Sequence, residues 1–403
     1  LLCLGFAPPA HAAVEELVSL RVDEVSAYSG EEEAYAVRED GLYGFYRTDG
    51  SVLLEPNYAA VGPFSDGMAA VSLSGDWVEG SGSTPPRFRG GRFGYVDAGG
   101  VLTVAMQYRQ AFPFSEDRAF AVDGSGTLVL LDRTGRELAS FPQAELWAGE
   151  SVRLSEGLAV IPVKCEEEET ARAYLVVDSG GRELFTLTDA WVDFMGGYHS
   201  GRIAAAETGE WTEDEAGSRS FTAASGAWGY RDEAGELAIP FQFEEAAPFS
   251  GGLAAVCLRG EDGETLYGFV SPEGGMTVPA EYDGARSFDG GTGALLLGDN
   301  WAYVDQEGRL LTDFLYEEAG PFRDGIALVR SGGQLQAISE RGRILFTASA
   351  GRGLAFSGGV TVLQEEEDGA WGVCGEDGEL LVPFEYEEAF HWDGYLWLKR
   401  GEL

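Results

Sequence analysis

Apolar and polar residues alternate over runs of four to six positions along most of the chain, and Gly, Asp or Pro separates one run from the next. Residues 228–256 show this most clearly, with an aromatic-Gly-aromatic run, a turn at 232–235, a short apolar run that ends at Pro240 and a final run of small residues. A period of two is typical of β-strands, and the Gly and Asp positions suit tight turns. The pattern predicts an all-β protein with less than about a tenth helix, against about a third in average globular proteins.

The same order of runs recurs along the chain. Five copies place a Gly directly after an aromatic residue, at Gly44, Gly94, Gly229, Gly268 and Gly372. Five copies place a Phe before the closing run of small residues, at Phe64, Phe114, Phe249, Phe288 and Phe322. Ala302 replaces the Gly in one further copy, and three weaker copies near Leu128, Tyr174 and Leu335 lack it. Two insertions, 76–92 and 207–227, lengthen the spacing in the first half, which gives about nine units of 34 to 55 residues.

This order of motifs resembles the WG-repeat family of bacterial proteins. The hallmark of that family is an aromatic-Gly-aromatic strand, a Gly turn, an apolar-Pro step, a Tyr-acidic-x-Ala segment and a Phe-x-x-Gly-x-Ala strand. The resemblance covers nearly all of residues 34–400. It implies a repetitive, β-rich interaction module, and it supplies no catalytic residue.

Uninterrupted repetition predicts one repeat domain over residues 34–403, most simply a propeller-like array, with an open β-repeat array as the alternative. A single unit cannot bury its apolar face alone, so neighbouring units must stack. The chain enters the array at Ala34 and leaves it at Leu398 in the same position of the repeat. We therefore expect the segment 13–33, and within it 14–30, to pair with the last unit and close the array, because closure removes exposed strand edges.

The recurring Gly and Phe positions have predicted structural roles. A Gly inside a strand leaves room for a neighbouring backbone or ring. The Phe residues are predicted to be buried anchors between adjacent units, and the burial of each ring contributes about 1.5–3 kcal/mol.

Residues 1–12 are predicted to be the remnant of a signal peptide. The apolar stretch 1–6 precedes Ala10-His11-Ala12, a small-x-small site, and we place cleavage after Ala12. The alternatives are a short apolar strand of the domain, which the prolines at 8 and 9 disfavour, and a lipoprotein cysteine at Cys3. No apolar run of 18 or more residues occurs, so no transmembrane segment is predicted. These features predict a secreted or cell-surface protein.

The composition is strongly acidic, with 27 Lys and Arg against 68 Asp and Glu and a formal net charge of −41. Such a balance excludes nucleic acid and anionic membranes as partners. Glu pairs recur at one repeat position, at 244–245, 317–318 and 387–388, which predicts a ring of surface charge. The simplest role of that ring is solubility, and the alternative is attraction of divalent cations or a basic partner. No calcium-binding loop motif is present, and neither a metal site nor a cofactor is predicted.

Residues for catalysis are sparse. Only His199 and His391 lie beyond the predicted cleavage site, far apart in sequence, which disfavours a His-based zinc site or a Ser-His-Asp hydrolase. The alternative to a non-catalytic protein is a carboxylate-based carbohydrate-active enzyme on a propeller, because many carboxylates could pair by chance. Since the Glu pairs repeat, they indicate architecture, and no catalytic residue is assigned.

The insertions hold the candidate ligand contacts. Residues 76–92 contain Trp77, Arg87, Phe88 and Arg89, a rare basic and aromatic group in this chain, and the second insertion contains Trp211. Loops on repeat scaffolds often carry function, although a disordered surface loop is the alternative for both insertions. The predicted protein is a monomeric binding or scaffold protein whose partner is an unknown protein or a cell-surface glycan.

Overall fold

The computed structural model describes most of the chain. The described residues are 2–5, 15–19, 24–29, 34–47, 50–78, 87–147, 150–164, 172–188, 190–207, 209–213, 219–260, 263–366, 368–392 and 395–399. Within them every regular element is a β-strand, no helix occurs, and hydrogen-bonded neighbours run antiparallel. The predicted all-β repeat class is confirmed.

The strands are short and follow one another closely. The first fourteen are β1 (Leu2–Gly5), β2 (Glu15–Ser19), β3 (Glu24–Ser29), β4 (Ala34–Glu39), β5 (Leu42–Arg47), β6 (Val52–Tyr58), β7 (Ala60–Ser65), β8 (Met68–Ser72), β9 (Asp76–Val78), β10 (Arg87–Arg89), β11 (Phe93–Asp97), β12 (Leu102–Tyr108), β13 (Gln110–Ala111) and β14 (Arg118–Val122). The next fourteen are β15 (Leu128–Asp132), β16 (Glu137–Phe141), β17 (Leu158–Lys164), β18 (Arg172–Asp178), β19 (Glu183–Leu187), β20 (Trp191–Val192), β21 (Arg202–Ala206), β22 (Gly209–Glu213), β23 (Arg219–Ala223), β24 (Trp228–Asp232), β25 (Leu237–Phe243), β26 (Glu245–Ala246), β27 (Ala254–Arg259) and β28 (Thr265–Val270). The last fourteen are β29 (Met276–Tyr282), β30 (Gly284–Asp289), β31 (Thr292–Leu297), β32 (Asn300–Asp305), β33 (Glu318–Ala319), β34 (Ile326–Ser331), β35 (Gln334–Ser339), β36 (Ile344–Ala348), β37 (Arg352–Gly353), β38 (Val360–Gln364), β39 (Trp371–Gly375), β40 (Leu380–Tyr386), β41 (Glu388–Trp392) and β42 (Tyr395–Lys399).

These strands form a succession of small sheets, which we number as nine units and a closing sheet. Units 1 to 9 consist of β3–β6, β7-β8-β11-β12, β13–β16, β17–β19, β20-β21-β24-β25, β26–β29, β30–β32, β33–β36 and β37–β40. The closing sheet has the order β41-β42-β1-β2, and two separate hairpins, β9–β10 and β22–β23, leave units 2 and 5. In the described residues the array is thus propeller-like, and its unit count matches the predicted number of about nine.

The sequence repeat and the sheets are out of phase by half a unit. The copy that begins at Trp228 supplies β24 and β25, the third and fourth strands of unit 5. It then supplies β26 and β27, the first and second strands of unit 6. Each copy therefore links two neighbouring sheets covalently.

The two ends of the chain share the closing sheet. Strand β1 pairs with β42, with Leu2 opposite Leu398, and β2 pairs with the other edge of β1. Of the segment 14–30, only β2 lies in this sheet, because β3 is the first strand of unit 1. The strand at Leu2–Gly5 agrees with the alternative interpretation of residues 1–12, and the signal peptide stays a prediction.

The apolar core lies between units. One buried cluster joins Met68, Tyr95 and Val104 of unit 2 to Phe114 and Val129 of unit 3. The predicted Phe anchors are all buried, and each ring packs on an aromatic ring of the preceding unit. The ring pairs and their centroid distances are Phe45–Phe64 at 4.7 Å, Tyr95–Phe114 at 4.9 Å, Tyr230–Phe249 at 4.9 Å, Phe269–Phe288 at 4.9 Å and Tyr303–Phe322 at 4.6 Å.

The Gly that follows the aromatic residue faces a bulge in the neighbouring outer strand. In unit 1, Tyr43 pairs with Tyr58 and Phe45 with Leu54, so the outer strand is two residues longer than its partner between these pairs. A Cβ at Gly44 would lie 2.4 Å from the carbonyl oxygen of Leu54. The Gly is needed because the bulge occupies the space of a side chain.

Units that lack this Gly avoid the bulge in one of two ways. The outer strands β16, β19 and β36 have five residues, where β6, β12, β25, β29 and β40 have seven. Unit 7 keeps the longer segment opposite Ala302 but has only three strands. Its residues 310–316 retain isolated bridges, from Trp301 to Tyr316 and from Val304 to Leu310. The methyl group of Ala302 thus coincides with the loss of the outer strand.

Candidate functional site

Hairpin β9–β10 brings the main candidate residues together. Trp77 lies opposite Phe88, with Arg87 and Arg89 on either side of Phe88. The rings of Trp77 and Phe88 meet edge to face at a centroid distance of 5.4 Å, and Phe88 meets Phe93 at the same distance. Trp77 is 51% exposed and Arg89 is also exposed, whereas Phe88 is half-buried. The exposed indole ring of Trp77 therefore packs on Phe88, which in turn packs on Phe93 of unit 2.

The base of the hairpin is held by close backbone contacts. The buried Ser72 hydroxyl donates to the carbonyl oxygens of Ser74 at 2.9 Å and Arg92 at 2.8 Å, one on each side of the hairpin. The Phe88 ring lies over Gly75 and Gly91, where a Cβ would come within 2.5 Å and 2.6 Å of ring carbons. Larger residues at these glycines would displace the Phe88 ring, so the two glycines are needed for this packing at the base of the hairpin.

The second insertion forms a hairpin of its own. Trp211 in β22 pairs with Phe221 in β23, and the two strands form a separate sheet. The side chains of Arg87 and Trp211 lie outside the described residues. The structure thus joins four of the five predicted contact residues in one hairpin and puts Trp211 in the other.

Some of the acidic side chains at the turns make contacts between units. In three consecutive units, a turn carboxylate accepts a hydrogen bond from a backbone N–H of the next unit. These bonds are Asp117 N to Asp66 at 3.0 Å, Gly157 N to Glu116 at 2.9 Å, and Ser200 N and Gly201 N to Glu156 at 2.7 Å each. Serine hydroxyls beside several turns donate to the next anchor in the same way, from Ser65 to Phe114 O and from Ser250 to Phe288 O, both at 2.7 Å. Sequence analysis missed these contacts, because turn acids and serines also occur without partners.

Two of the Asp residues that open Gly turns, Asp132 and Asp178, have lowered pKa values. The Thr134 hydroxyl donates to Asp132 at 2.6 Å, and this bond, with two backbone N–H groups, lowers the pKa of Asp132. The backbone N–H of Arg182 donates to Asp178 at 3.0 Å and lowers the pKa of that carboxyl group. The ionised carboxylates accept hydrogen bonds from backbone N–H groups of the same turn and so stabilise the turn, which gives these acids a structural role.

The sequence repeat matches a known family. The family described as "WG containing repeat" matches residues 43–77, 93–125, 228–261, 267–301, 301–334 and 371–402, half of the chain. The chain belongs to the WG-repeat family. The three copies that lack the Gly lie in the unmatched stretches 126–227 and 335–370. The predicted resemblance is therefore confirmed. Five of the matched copies contain the Gly that faces the bulge, and the sixth has Ala302 in its place.

Solved structures resemble the WG-repeat array at low sequence identity. A protein described as the eukaryotic initiation factor is 9% identical with a TM-score of 0.50, over 86% of this chain and 95% of that chain. BamB from Moraxella catarrhalis is 13% identical with a TM-score of 0.37, over 81% and 97% of the two chains. The computationally designed Ika8 protein is 16% identical with a TM-score of 0.33, over 72% and 96%. The first likeness shows the fold alone, and the other two carry no argument.

No curated protein matches the chain closely enough in sequence to count as a relative. Among the described residues of the WG array, no group of three or more His, Cys, Asp or Glu side chains is arranged to hold a metal ion. The same part of the chain has no helix that could cross a membrane.

Proposed function

We propose that this WG-repeat protein is a secreted or surface-exposed, non-catalytic binding or scaffold protein, and that hairpin β9–β10 contacts its partner. The observation that carries the proposal is the exposed Trp77, held on Phe88 and Phe93 above a rigid sheet. Exposed aromatic residues with few rotatable bonds supply contact area at low entropic cost, and Trp and Arg are frequent in binding hot spots.

The surrounding charge supports the same surface. Arg87 and Arg89 flank Phe88 in a protein with a formal net charge of −41. Because side chains alternate between the two faces of a strand, a partner segment that wraps the hairpin would meet the rings of Trp77 and Phe88 on one face and the exposed Arg89, a hydrogen-bond donor for carboxylate or hydroxyl groups, on the other. We propose a protein segment or a cell-surface glycan as the partner, since both present such groups beside apolar faces.

The carboxyl groups favour a binding protein over a glycosidase. A glycosidase requires one carboxyl group whose pKa is raised so that it can act as an acid. Within the described residues, every Asp or Glu with a shifted pKa is shifted downward. The recurring acids at the turns also have structural partners. These observations support the non-catalytic proposal.

The test is a glycan and peptide array screened with purified wild-type protein and with Trp77→Ala. Each glycan or peptide that binds the wild-type protein should bind Trp77→Ala about tenfold or more weakly, as expected for an aromatic hot spot. Val101→Ala is the matched control, because Val101 is an equally exposed apolar residue outside the hairpin, at 60%. Equal binding by wild type and Trp77→Ala, or no bound feature at all, would contradict the proposal.

Secretion is tested separately. We expect cell fractionation to recover the protein outside the cytoplasm, and N-terminal sequencing of that material to begin at Ala13. Recovery in the cytoplasm would rule out the proposed localisation and would leave the hairpin as a binding surface for an internal partner.

A further inference from the structure

A groove of about 360 Å³ crosses the first strands of units 7, 8 and 9. Its walls include β33 and the segment that follows it, and three arginines line it: Arg286 from β30, Arg330 from β34 and Arg352 from β37. These residues lie 44 and 22 positions apart in the sequence, so only the packing of successive units brings them to one groove. The groove lies on other units than hairpin β9–β10, and its argument does not depend on the function proposed above.

Two of the three guanidinium groups are stacked on indole rings. The Arg286 guanidinium lies 4.2 Å from the centroid of the Trp301 ring and donates one hydrogen bond, to the carbonyl oxygen of Ala319. The Arg352 guanidinium lies 5.1 Å from the Trp371 ring and donates to Gln364 at 2.5 Å. A guanidinium has five N–H donors in one plane, so stacking fixes each group and leaves most of its donors for a ligand.

The groove has an excess of positive charge. Within the described residues, no carboxylate lies within ion-pair distance of Arg286 or Arg352. Arg330 is paired with Glu318 at 3.3 Å, and it also donates to the carbonyl oxygen of Gly351 at 2.5 Å. Among the described residues, the lining of the groove therefore carries two positive charges, on Arg286 and Arg352, that are not neutralised by an ion pair. Charges beyond about 8 Å are largely screened at physiological ionic strength, so distant acids of the surface affect the groove less than the residues that line it.

An equivalent groove in unit 6 shows that this charge is not a general property of the array. That groove of about 280 Å³ is lined by Trp228, Glu245 and Tyr267 and contains no arginine. Glu245 pairs with Cys257, Glu318 with Arg330 and Arg352 with Gln364, which puts all three at one position of the repeat. Unit 9 has thus replaced the recurring acid with Arg352, and the replacement faces the groove.

We propose that this groove binds a small dicarboxylate. The fork of a guanidinium matches a carboxylate through two parallel hydrogen bonds, and two carboxylates on one ligand can each reach one unpaired arginine. Glu318 also lines the groove and belongs to unit 8, the unit between those that carry the two arginines, so its charge disfavours a compact dianion such as phosphate more than a ligand whose charges are separated. The volume is at the lower end for small-molecule sites, so a ligand of about ten non-hydrogen atoms fits.

The test is isothermal titration of the full-length protein with succinate, adipate and inorganic phosphate at constant ionic strength. We expect saturable binding of at least one dicarboxylate, weaker binding of phosphate, and about a tenfold or greater loss in each of Arg286→Gln and Arg352→Gln. Arg259→Gln is the matched control, because Arg259 is an exposed arginine paired with Glu244 away from the groove, and it should bind as the wild type does.

Two further variants distinguish a loss of ligand contacts from a loss of folding, because both are expected to bind better than the glutamine variants of the arginines. Arg286→Lys keeps the charge and should recover part of the affinity, whereas Glu318→Gln removes the repelling carboxylate and should tighten binding severalfold. The proposal is overturned if no dicarboxylate saturates, if phosphate binds more tightly than both dicarboxylates, or if Arg259→Gln weakens binding as much as the groove variants. Unchanged or weaker binding by Glu318→Gln would also overturn it.

Discussion

At the scale of single residues, the bulged outer strands depend on a glycine in the neighbouring strand, because a side chain there would occupy the space that the bulge fills. A Cβ at Gly268 would lie 2.5 Å from the carbonyl oxygen of Val278 in the bulged outer strand of unit 6. A backbone oxygen cannot move aside as the end of a flexible side chain can. We expect the same conflict to be the reason why unit 7, with Ala302 in this place, has three strands.

We expect Gly268→Ala to lower the free energy of unfolding by about 1–3 kcal/mol, as overpacking of a filled site usually does. Chemical denaturation monitored by fluorescence measures the change. The reverse substitution in the neighbouring unit, Ala302→Gly, should allow an outer strand to form and should slow amide hydrogen exchange over residues 310–316. Exchange rates that match the wild type in Ala302→Gly would show that the methyl group is not what displaces this strand.

The Phe anchors give a second prediction at this scale. Phe322 is 2% exposed and its ring lies 4.6 Å from that of Tyr303 in the preceding unit. Phe322→Ala should cost about 3–5 kcal/mol of unfolding free energy, because it opens a cavity between two units. Leu315→Ala, at a residue that is 56% exposed, is the control and should change stability by less than about 0.5 kcal/mol. A change in Phe322→Ala as small as in the control would mean that the interface closes over the cavity.

The sequence identifies these residues because they recur, and recurrence distinguishes a structural position from chance. It does not show what they contact. The Gly is predicted to leave space for a neighbouring backbone or ring. The sequence does not show that this space is occupied by a two-residue bulge in the adjacent outer strand. Only in comparison with the five-residue strands β16, β19 and β36 does the longer outer strand become a sequence signal.

At the scale of elements, the turns and the two hairpins differ in how much of their structure the sequence reveals. The Asp and Gly of each turn predict its position, since their conformational preferences are local. The insertion 76–92 reveals only its aromatic and basic residues. Strands β9 and β10 have three residues each, too few for an alternating pattern. The arginine groove was also missed, because its three arginines occupy different repeat positions in separate units.

The turn acids predict a dependence on pH. Because the pKa of Asp132 is lower in the folded protein, its carboxylate stabilises the fold above the unfolded value of about 3.9, and this contribution is lost as the pH falls through the folded value. Asp132→Asn should therefore be less stable than the wild type at pH 7, and the difference in melting temperature should shrink and disappear as the pH falls through the lowered pKa of the folded protein. A difference that persists at low pH would assign the effect to packing and not to the charge.

At the scale of the whole molecule, the two ends of the chain meet in the closing sheet. The idea of an N-terminal partner for the last unit came from the phase in which the chain enters and leaves the repeat. The sequence does not identify β1 as that partner, because the prolines at 8 and 9 and the small-x-small site at 10–12 are typical of the end of a signal peptide. In the structure β1 is the direct partner of β42, and β2 lies outside it.

Deleting residues 1–19 should expose one edge of β42 and speed amide exchange in residues 388–399 and in unit 9, while β28 in unit 6 remains as protected as in the full chain. Hydrogen exchange with mass spectrometry measures both regions in one sample, and β28 serves as the internal control. Unchanged exchange in residues 388–399 would mean that the pairing of β1 with β42 adds no stability. The comparison uses unprocessed protein in which residues 1–12 are retained, because cleavage after Ala12 would itself remove β1, and N-terminal sequencing of the starting material verifies this.

The half-unit offset between the sequence repeat and the sheets has a consequence for how such a gene can grow. A tandem duplication of one copy adds the last two strands of one sheet and the first two of the next. The added strands pair with the strands of the copies on either side, so the product has one more complete sheet and no sheet that lacks half of its strands. The closing sheet is not altered by such a duplication, because β1 and β2 precede the duplicated copy and β41 and β42 follow it. Gain or loss of a copy by unequal recombination can thus change the size of the array in a single genetic event without leaving an unfinished sheet.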